Sequence, residues 1–152
     1  VQKLLHELKY SNNPEIGVLL GRMYGSKLRQ DGVTFDAVLA IPLHKSKQKL
    51  RGYNQSEEFA KGLAEGLNIP LNTSVLKRKE FTETQTKKSK YERWENVEDV
   101  FELNSPETFK NKHVIIVDDV ITTGATIEAC CQLLQSIEGI KISVLSIAYA
   151  DK

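Results

Sequence analysis

Two aspartates, Asp118 and Asp119, stand side by side between four branched apolar residues (114–117) and the run Val120-Ile121-Thr122-Thr123-Gly124-Ala125-Thr126. Neighbouring carboxylates repel, and each raises the other's pKa. A fold tolerates such a pair more readily when hydroxyl donors or a cation face it, and a polyol such as ribose offers paired donors. Gly124 permits a positive φ and a close backbone approach. The N–H groups of such a turn, feeding a helix N-terminus, make an anion site. Thr122, Thr123 and Thr126 add hydroxyl donors. One short segment thereby offers a diol site and a phosphate site a sugar's length apart, the shape of a ribose 5-phosphate. A plainer reading stays open, in which the acids cap the next helix and favour its dipole. A nucleoside-triphosphate site also places acids at a strand end, but it requires a GxxxxGK[ST] loop after a strand. The nearest match, residues 21–27, has the wrong spacing and lies inside a helical pattern.

To hold the acids at its end, "HVIIV" must be a buried strand, and it is the strongest strand pattern in the chain. "TIEACCQLLQSI" reads as the following helix, with Thr126 as N-cap and Gly139 beyond its end. "KISVLSIAYA" reads as a closing strand. Upstream, "DAVLAIPL" (36–43) is a short buried strand, and "HKSKQKLRGYN" is polar and basic and reads as a loop. Phe59, Ala60, Leu63, Ala64 and Leu67 have helical spacing. "SVLKR" and "DVFEL" are short strands. This alternation gives an α/β fold with a largely parallel sheet, whose ligands bind beyond the carboxyl ends of the strands. The first 35 residues carry no strand pattern. Leu4, Leu5 and Leu8 mark one helix. Asn13 as N-cap and Pro14 at the first position open another, with Ile16, Leu19, Leu20 and Met23 as its apolar stripe. The expected organisation is a helical segment over 1–35 and an α/β core over 36–152.

At 152 residues and a formal net charge of +1, the chain reads as one domain with no global field for DNA or an anionic membrane. The sequence holds no apolar run long enough to span a bilayer and no signal-peptide pattern, so a cytoplasmic setting is expected. Val1 is not a start methionine, and residues are expected to precede it. Cys130 and Cys131 are adjacent, without CxxC or His-rich spacing, so reduced core thiols are expected and a zinc site is not.

"VIIVDDVITTGAT" resembles the phosphoribosyl pyrophosphate (PRPP) signature of type I phosphoribosyltransferases. "IPLHKSKQKLRGYNQSEEFAKGLA" is similar to the early segment of their ComF-like, competence-associated branch, with Pro42, Leu43 and His44 followed by Arg51, Gly52, Tyr53, Asn54 and Gln55. "LKRKEFTETQTKKSKYERWENVEDVF" resembles its middle region at Arg78, Thr84, Gln85, Arg93, Asn96 and Phe101, and "LLHELKY" its short N-terminal helix. The likeness covers most of the chain. It departs at the front, where many members carry a cysteine-rich zinc module.

The resemblance implies a mostly parallel central sheet flanked by helices, with residues 1–35 as a small hood. It implies that Asp118 and Asp119 hold the ribose hydroxyls, one of them assisting proton removal, and that Val120, Ile121, Thr122, Thr123, Gly124, Ala125 and Thr126 complete the ribose 5-phosphate site. Mg²⁺ would arrive with the ligand, with Asp118 and Asp119 as candidate contacts. Leu43, His44 and Lys45 would lie on the pyrophosphate loop, joined by Arg51 and Arg78. Residues 79–92 would include a flexible loop, carrying Gln85, Lys87 and Lys88, with Arg93 just beyond. The ligand would be PRPP or a nucleoside monophosphate, and the acceptor is not legible.

A non-catalytic PRPP or nucleotide sensor acting with DNA-uptake machinery is the alternative, and a homodimer is open. The basic residues Lys45, Lys47, Lys49 and Arg51 after the first strand, and Lys77, Arg78, Lys87, Lys88, Lys90 and Arg93 in the second loop region, read singly as solvated surface charges and together as a set serving the leaving group. A nucleic-acid module using them is weakened by the near-neutral charge and the lack of aromatic-basic interleaving. His44 reads as an orienting hydrogen-bond partner or a general base. Asn54 and Gln55 are candidate caps, and Tyr53 and Trp94 are core rings or stacking platforms.

Overall fold

The computed structural model describes residues 13–79 and 100–150. In chain order these form helix α1 (Glu15–Gln30), strand β1 (Ala37–Ala40), helix α2 (Lys45–Arg51), helix α3 (Gln55–Leu67), strands β2 (Leu71–Asn72), β3 (Leu76–Arg78) and β4 (Phe101–Leu103), a 3-10 turn (Pro106–Phe109), strand β5 (His113–Ile121), helix α4 (Ala125–Gln135) and strand β6 (Lys141–Tyr149). Strands β2, β1, β5 and β6 make one sheet in that order, all neighbours parallel. Strands β3 and β4 pair antiparallel in a separate ribbon.

The central strands read as unbroken apolar runs because helices cover both faces. Val38 pairs with Ile115 and Leu39 with Ile116. Val38, Ala40, Ile115 and Val117 pack against Phe59, Ala60, Leu63, Ala64 and Leu67 of α3. Leu39, Val114 and Ile116 pack on the other face with Cys130 and Leu134 of α4 and with the β3–β4 ribbon. Each buried Val or Ile contributes about 1.5–3 kcal/mol relative to exposure. Burying one carboxylate at the end of such a strand is a smaller cost than that set supplies.

The helix 15–30 corrects the sequence reading. Its expected apolar stripe is only partly its packing face: Leu20 packs against the core on the α3 side, whereas Leu19 and Met23 are 55% and 62% exposed. The buried positions are Gly17, Gly21 and Gly25, and Gly21 and Gly25 lie against α3. A Cβ on Gly21 would fall 2.1 Å from the Phe59 carbonyl oxygen, and one on Gly62 would fall 1.9 Å from that of Val18. The two backbones therefore touch, and glycine is required there for closeness of approach. The helix starts one residue later than expected, with Pro14 as its N-cap.

Three further expectations change. Residues 45–51 form a helix rather than a loop, because the His44 ring accepts the Ser46 N–H at 3.2 Å as a cap and Gly52, at φ 82°, ends the turn. Between those signals lie Lys, Gln, Leu and Arg, all good helix formers. Strand β2 is too short to show a pattern. Strand β5 runs past the acids: Asp118 pairs with Ser146 and Ile121 with Tyr149, so Asp118 and Asp119 lie in the last stretch of the ladder. The β-branched Val120 and Ile121 carry strand propensity beyond them.

Candidate functional site

The acid pair sits where the sheet gives way to the turn before α4. Each carboxylate bends back onto the next amide: Asp118 Oδ1 accepts the Asp119 N–H at 2.9 Å, and Asp119 Oδ1 accepts the Val120 N–H at 2.8 Å. From the other side comes Ser56, in the first turn of α3. Its hydroxyl donates to Asp118 Oδ1 at 2.9 Å and accepts the Asp119 N–H at 3.1 Å. Burial, with the Asp119 charge next, raises the Asp118 pKa to about 6, against the lowering effect of the Ser56 hydroxyl. The carboxyl is thus held well above the usual carboxylate range.

The turn itself has the geometry expected of it. Gly124 adopts φ 82°, and a Cβ built there would meet no atom within 4 Å. That open space lies beside the first N–H groups of α4, which have no intrahelical acceptor. A cavity of about 40 Å³ is lined by Asp118 and residues 120–127. It has room for a small polar group such as one phosphate, with anything larger lying across the rim. Helix α4 begins at Ala125, with Gly124 as N-cap and no side-chain cap. This corrects the expectation of Thr126 as N-cap: the left-handed glycine already turns the chain, and Thr126 falls inside the helix. The Thr123 hydroxyl takes a long bond of 3.4 Å from the Ala125 N–H.

The basic candidates are placed differently. None of Leu43, His44, Lys45, Arg51 or Arg78 lines the turn cavity. His44 caps α2, with Nδ1 2.6 Å from the Ser46 hydroxyl. The Arg51 guanidinium donates to Gln55 Oε1 at 2.9 Å. Arg78 lies over the Phe101 ring, 5.1 Å from its centroid, and burial lowers its pKa. Arg78 and Asp118 both act on the Cys130 thiol, which burial, with the Cys131 thiol next, pushes up to about 12; Cys130 is therefore an inert core thiol. Gln85, Lys87, Lys88, Lys90 and Arg93, with Thr84, Trp94 and Asn96, lie outside the described residues.

Asn54 is the cap it was expected to be, accepting the Ser56 N–H at 3.1 Å. Its amide also donates to the Ile41 carbonyl at 3.0 Å, which closes the 41–54 excursion at its base. Tyr53 is buried. Ser56 was not singled out from the sequence. A serine after a cap reads as ordinary helix-start chemistry, and only the closure of α3 onto β5 shows its partner.

Among the described residues no group of three or more His, Cys, Asp or Glu could hold a metal ion. Mg²⁺ commonly takes one or two carboxylates and completes its shell with substrate phosphates and water. Two adjacent aspartates fit that role only beside a phosphorylated ligand. Among the described residues no helix is long and apolar enough to cross a membrane. A larger open groove of about 370 Å³ lies at the amino end of β2, lined by Lys61, Ala64, Glu65, Asn68, Ile69, Pro70 and Leu71. It lies at the opposite end of the sheet from the turn.

Residues 53–151 match the family model described as a phosphoribosyl transferase domain. The chain is 32% identical to DNA utilization protein YhgH of Escherichia coli O157:H7, covering 86% of this chain and 59% of that protein. It is also 32% identical to competence protein F of Haemophilus influenzae, covering 97% of this chain and 67% of that protein. It thus spans about six-tenths of the length of the first of these relatives. Among solved structures, a glutamine PRPP amidotransferase from B. subtilis complexed with ADP and GMP superposes with a TM-score of 0.62 at 19% identity, over 93% of this chain and 30% of that one. An adenine phosphoribosyltransferase from Leishmania tarentolae gives 0.56 at 22% identity, over 90% and 58%. These likenesses carry the fold.

Proposed function

This chain belongs to the phosphoribosyl transferase domain family, in the branch that holds competence protein F, and from that premise we propose that it binds PRPP and transfers its 5-phosphoribosyl group to an acceptor, releasing pyrophosphate. The observation that carries the reading is the adjacency of the Asp118–Asp119 pair, braced by Ser56, to a left-handed glycine turn whose cavity Asp118 also lines. A vicinal diol and a phosphate joined by one sugar satisfy both halves at once.

In this reading Asp118 and Asp119 accept hydrogen bonds from the ribose hydroxyls, and the N–H groups and hydroxyls of residues 122–126 receive the 5-phosphate. Positive character builds on the ribose ring as pyrophosphate leaves, and the paired carboxylates offset it. Either carboxylate can take the acceptor's proton, and Asp118, with its raised pKa, is the better base near neutral pH. Asp118 and Asp119, together with the substrate phosphates, would hold Mg²⁺, which would supply charge neutralisation at the leaving group. Lys45, Arg51 and Arg78 are, by the family resemblance, the candidate cations for the same end.

A non-catalytic sensor of PRPP or a nucleotide, working in DNA uptake, is the second reading, favoured by the names of the relatives. Incubating the protein with isotope-labelled PRPP, Mg²⁺ and a metabolite extract separates the two. Acceptor-dependent release of pyrophosphate supports transfer, whereas binding without turnover supports the sensor.

A further inference from the structure

Ser56 joins two elements that are 62 residues apart in sequence. It is 4% exposed and sits in the first turn of α3, where a serine ordinarily caps or faces solvent. Here its backbone N–H is already taken by Asn54, and its hydroxyl is committed to the acid pair. The direction of that hydroxyl is fixed by its neighbours. The Asp119 N–H can only donate, so the Ser56 oxygen accepts there. An ionised Asp118 can only accept, so the Ser56 proton points to Asp118 Oδ1. That oxygen also takes the Asp119 N–H. Two donors therefore hold Oδ1, and Oδ2 is left as the oxygen through which Asp118 can meet a ligand.

We propose that Ser56 is a positioning residue that sets the selectivity of the site for ribose over deoxyribose, by pinning one oxygen of Asp118 so that the other is presented to a sugar hydroxyl. This rests on the reading of the acid pair as the ribose site. Without the serine hydroxyl, Asp118 keeps its charge but loses one of two restraints, and the Asp119 amide loses an acceptor. The carboxylate then samples rotamers that do not meet the sugar, while the phosphate turn, built from residues 122–126, is untouched. A hydrogen bond to an ion that is no longer held in place loses part of its strength, and selectivity for the hydroxyl falls by about tenfold.

The test is calorimetric titration of ribose 5-phosphate, 2-deoxyribose 5-phosphate, 3-deoxyribose 5-phosphate and inorganic phosphate into the wild-type protein, Ser56→Ala, Asp118→Asn and the double variant, each checked by thermal melting. The wild type should lose affinity when a hydroxyl is removed. Ser56→Ala should reduce that loss by about tenfold while binding inorganic phosphate as before. In the Asp118→Asn background the serine change should add nothing, because it acts through Asp118. A folded Ser56→Ala variant with undiminished hydroxyl selectivity overturns the proposal, as does equal weakening of phosphate and sugar phosphate. An additive double variant also overturns it. A wild type indifferent to both hydroxyls overturns the ribose-site reading itself.

Discussion

Two segments at the carboxyl edge of the sheet invite comparison. Residues 118–127 hold their chemistry within one short stretch: two carboxylates, each locked to the next residue's amide, then a left-handed glycine and a helix start. Residues 41–56 reach the same edge by a detour. They leave β1 at Ile41, make the short helix α2, and return to be tied at the base by Asn54. The first segment carries its candidate chemistry within itself. The second contributes by closure, through one serine hydroxyl delivered to the acids of the first. Ligand affinity should therefore depend steeply on the first segment, and orientation and stability on the second.

The largest difference should come from Asp118→Asn combined with Asp119→Asn. Charge-assisted hydrogen bonds are worth about 1.5–3 kcal/mol each, so losing two should weaken PRPP binding by roughly 100-fold or more. The fold should survive, because neither carboxylate belongs to the apolar core. Calorimetric titration of PRPP with Mg²⁺ measures this, and unchanged affinity in a folded variant would remove the acids from the site.

The pH dependence of stability sharpens the comparison next. The Asp118 pKa is raised in the folded protein to about 6, above its unfolded value of about 3.9. The folded state therefore holds this proton more tightly than the unfolded state. Stability from that source is complete below pH ~4, is lost as pH rises through ~6, and is absent above. Asp118→Asn has no such proton. Its stability relative to wild type should rise as pH climbs from ~4 through ~6 by on the order of 3 kcal/mol in all and then level off. Urea melts across that range report it; a flat difference would mean that Asp118 ionises normally.

Gly124→Val is expected to cost about 1–3 kcal/mol, because a β-branched residue is forced to a positive φ. The open space around its Cβ means the cost is in the backbone, not in a clash with the protein. The added side chain would fill the space beside the α4 N-terminus, so ribose 5-phosphate should no longer raise Tm. A surviving Tm shift would place the phosphate elsewhere.

The smallest effects distinguish the two caps of the second segment. Asn54→Ala removes a buried cap and the donor to the Ile41 carbonyl, and should destabilise by about 1–2 kcal/mol. His44→Ala removes an exposed cap on a seven-residue helix and should cost under about 1 kcal/mol. Equal losses in denaturant melts would mean that α2 is as integral to the fold as α3.

The difference between the segments also explains what the sequence made legible. The buried strands, the parallel sheet and the left-handed turn at Gly124 were readable because each follows from side chains adjacent in the chain. The face of α1 was legible only in part: periodicity picked out Leu20, which packs, along with Leu19 and Met23, which do not, while the closest approach to α3 is made by glycines with nothing to register on a hydropathy scale. Helix α2 was hidden because polar residues of good helix propensity look like a basic loop until His44 and Gly52 are recognised as its stops. Ser56 was hidden because its role depends on where α3 lands on β5.

An NMR titration of the amide resonances with ribose 5-phosphate reports most directly where the ligand sits. The acid–turn site requires the largest shifts at Asp118 to Thr126, with Ser56 moving alongside and Lys61 to Leu71 unmoved. Shifts concentrated in the groove of Lys61, Asn68, Ile69 and Leu71, with the turn silent, would contradict it.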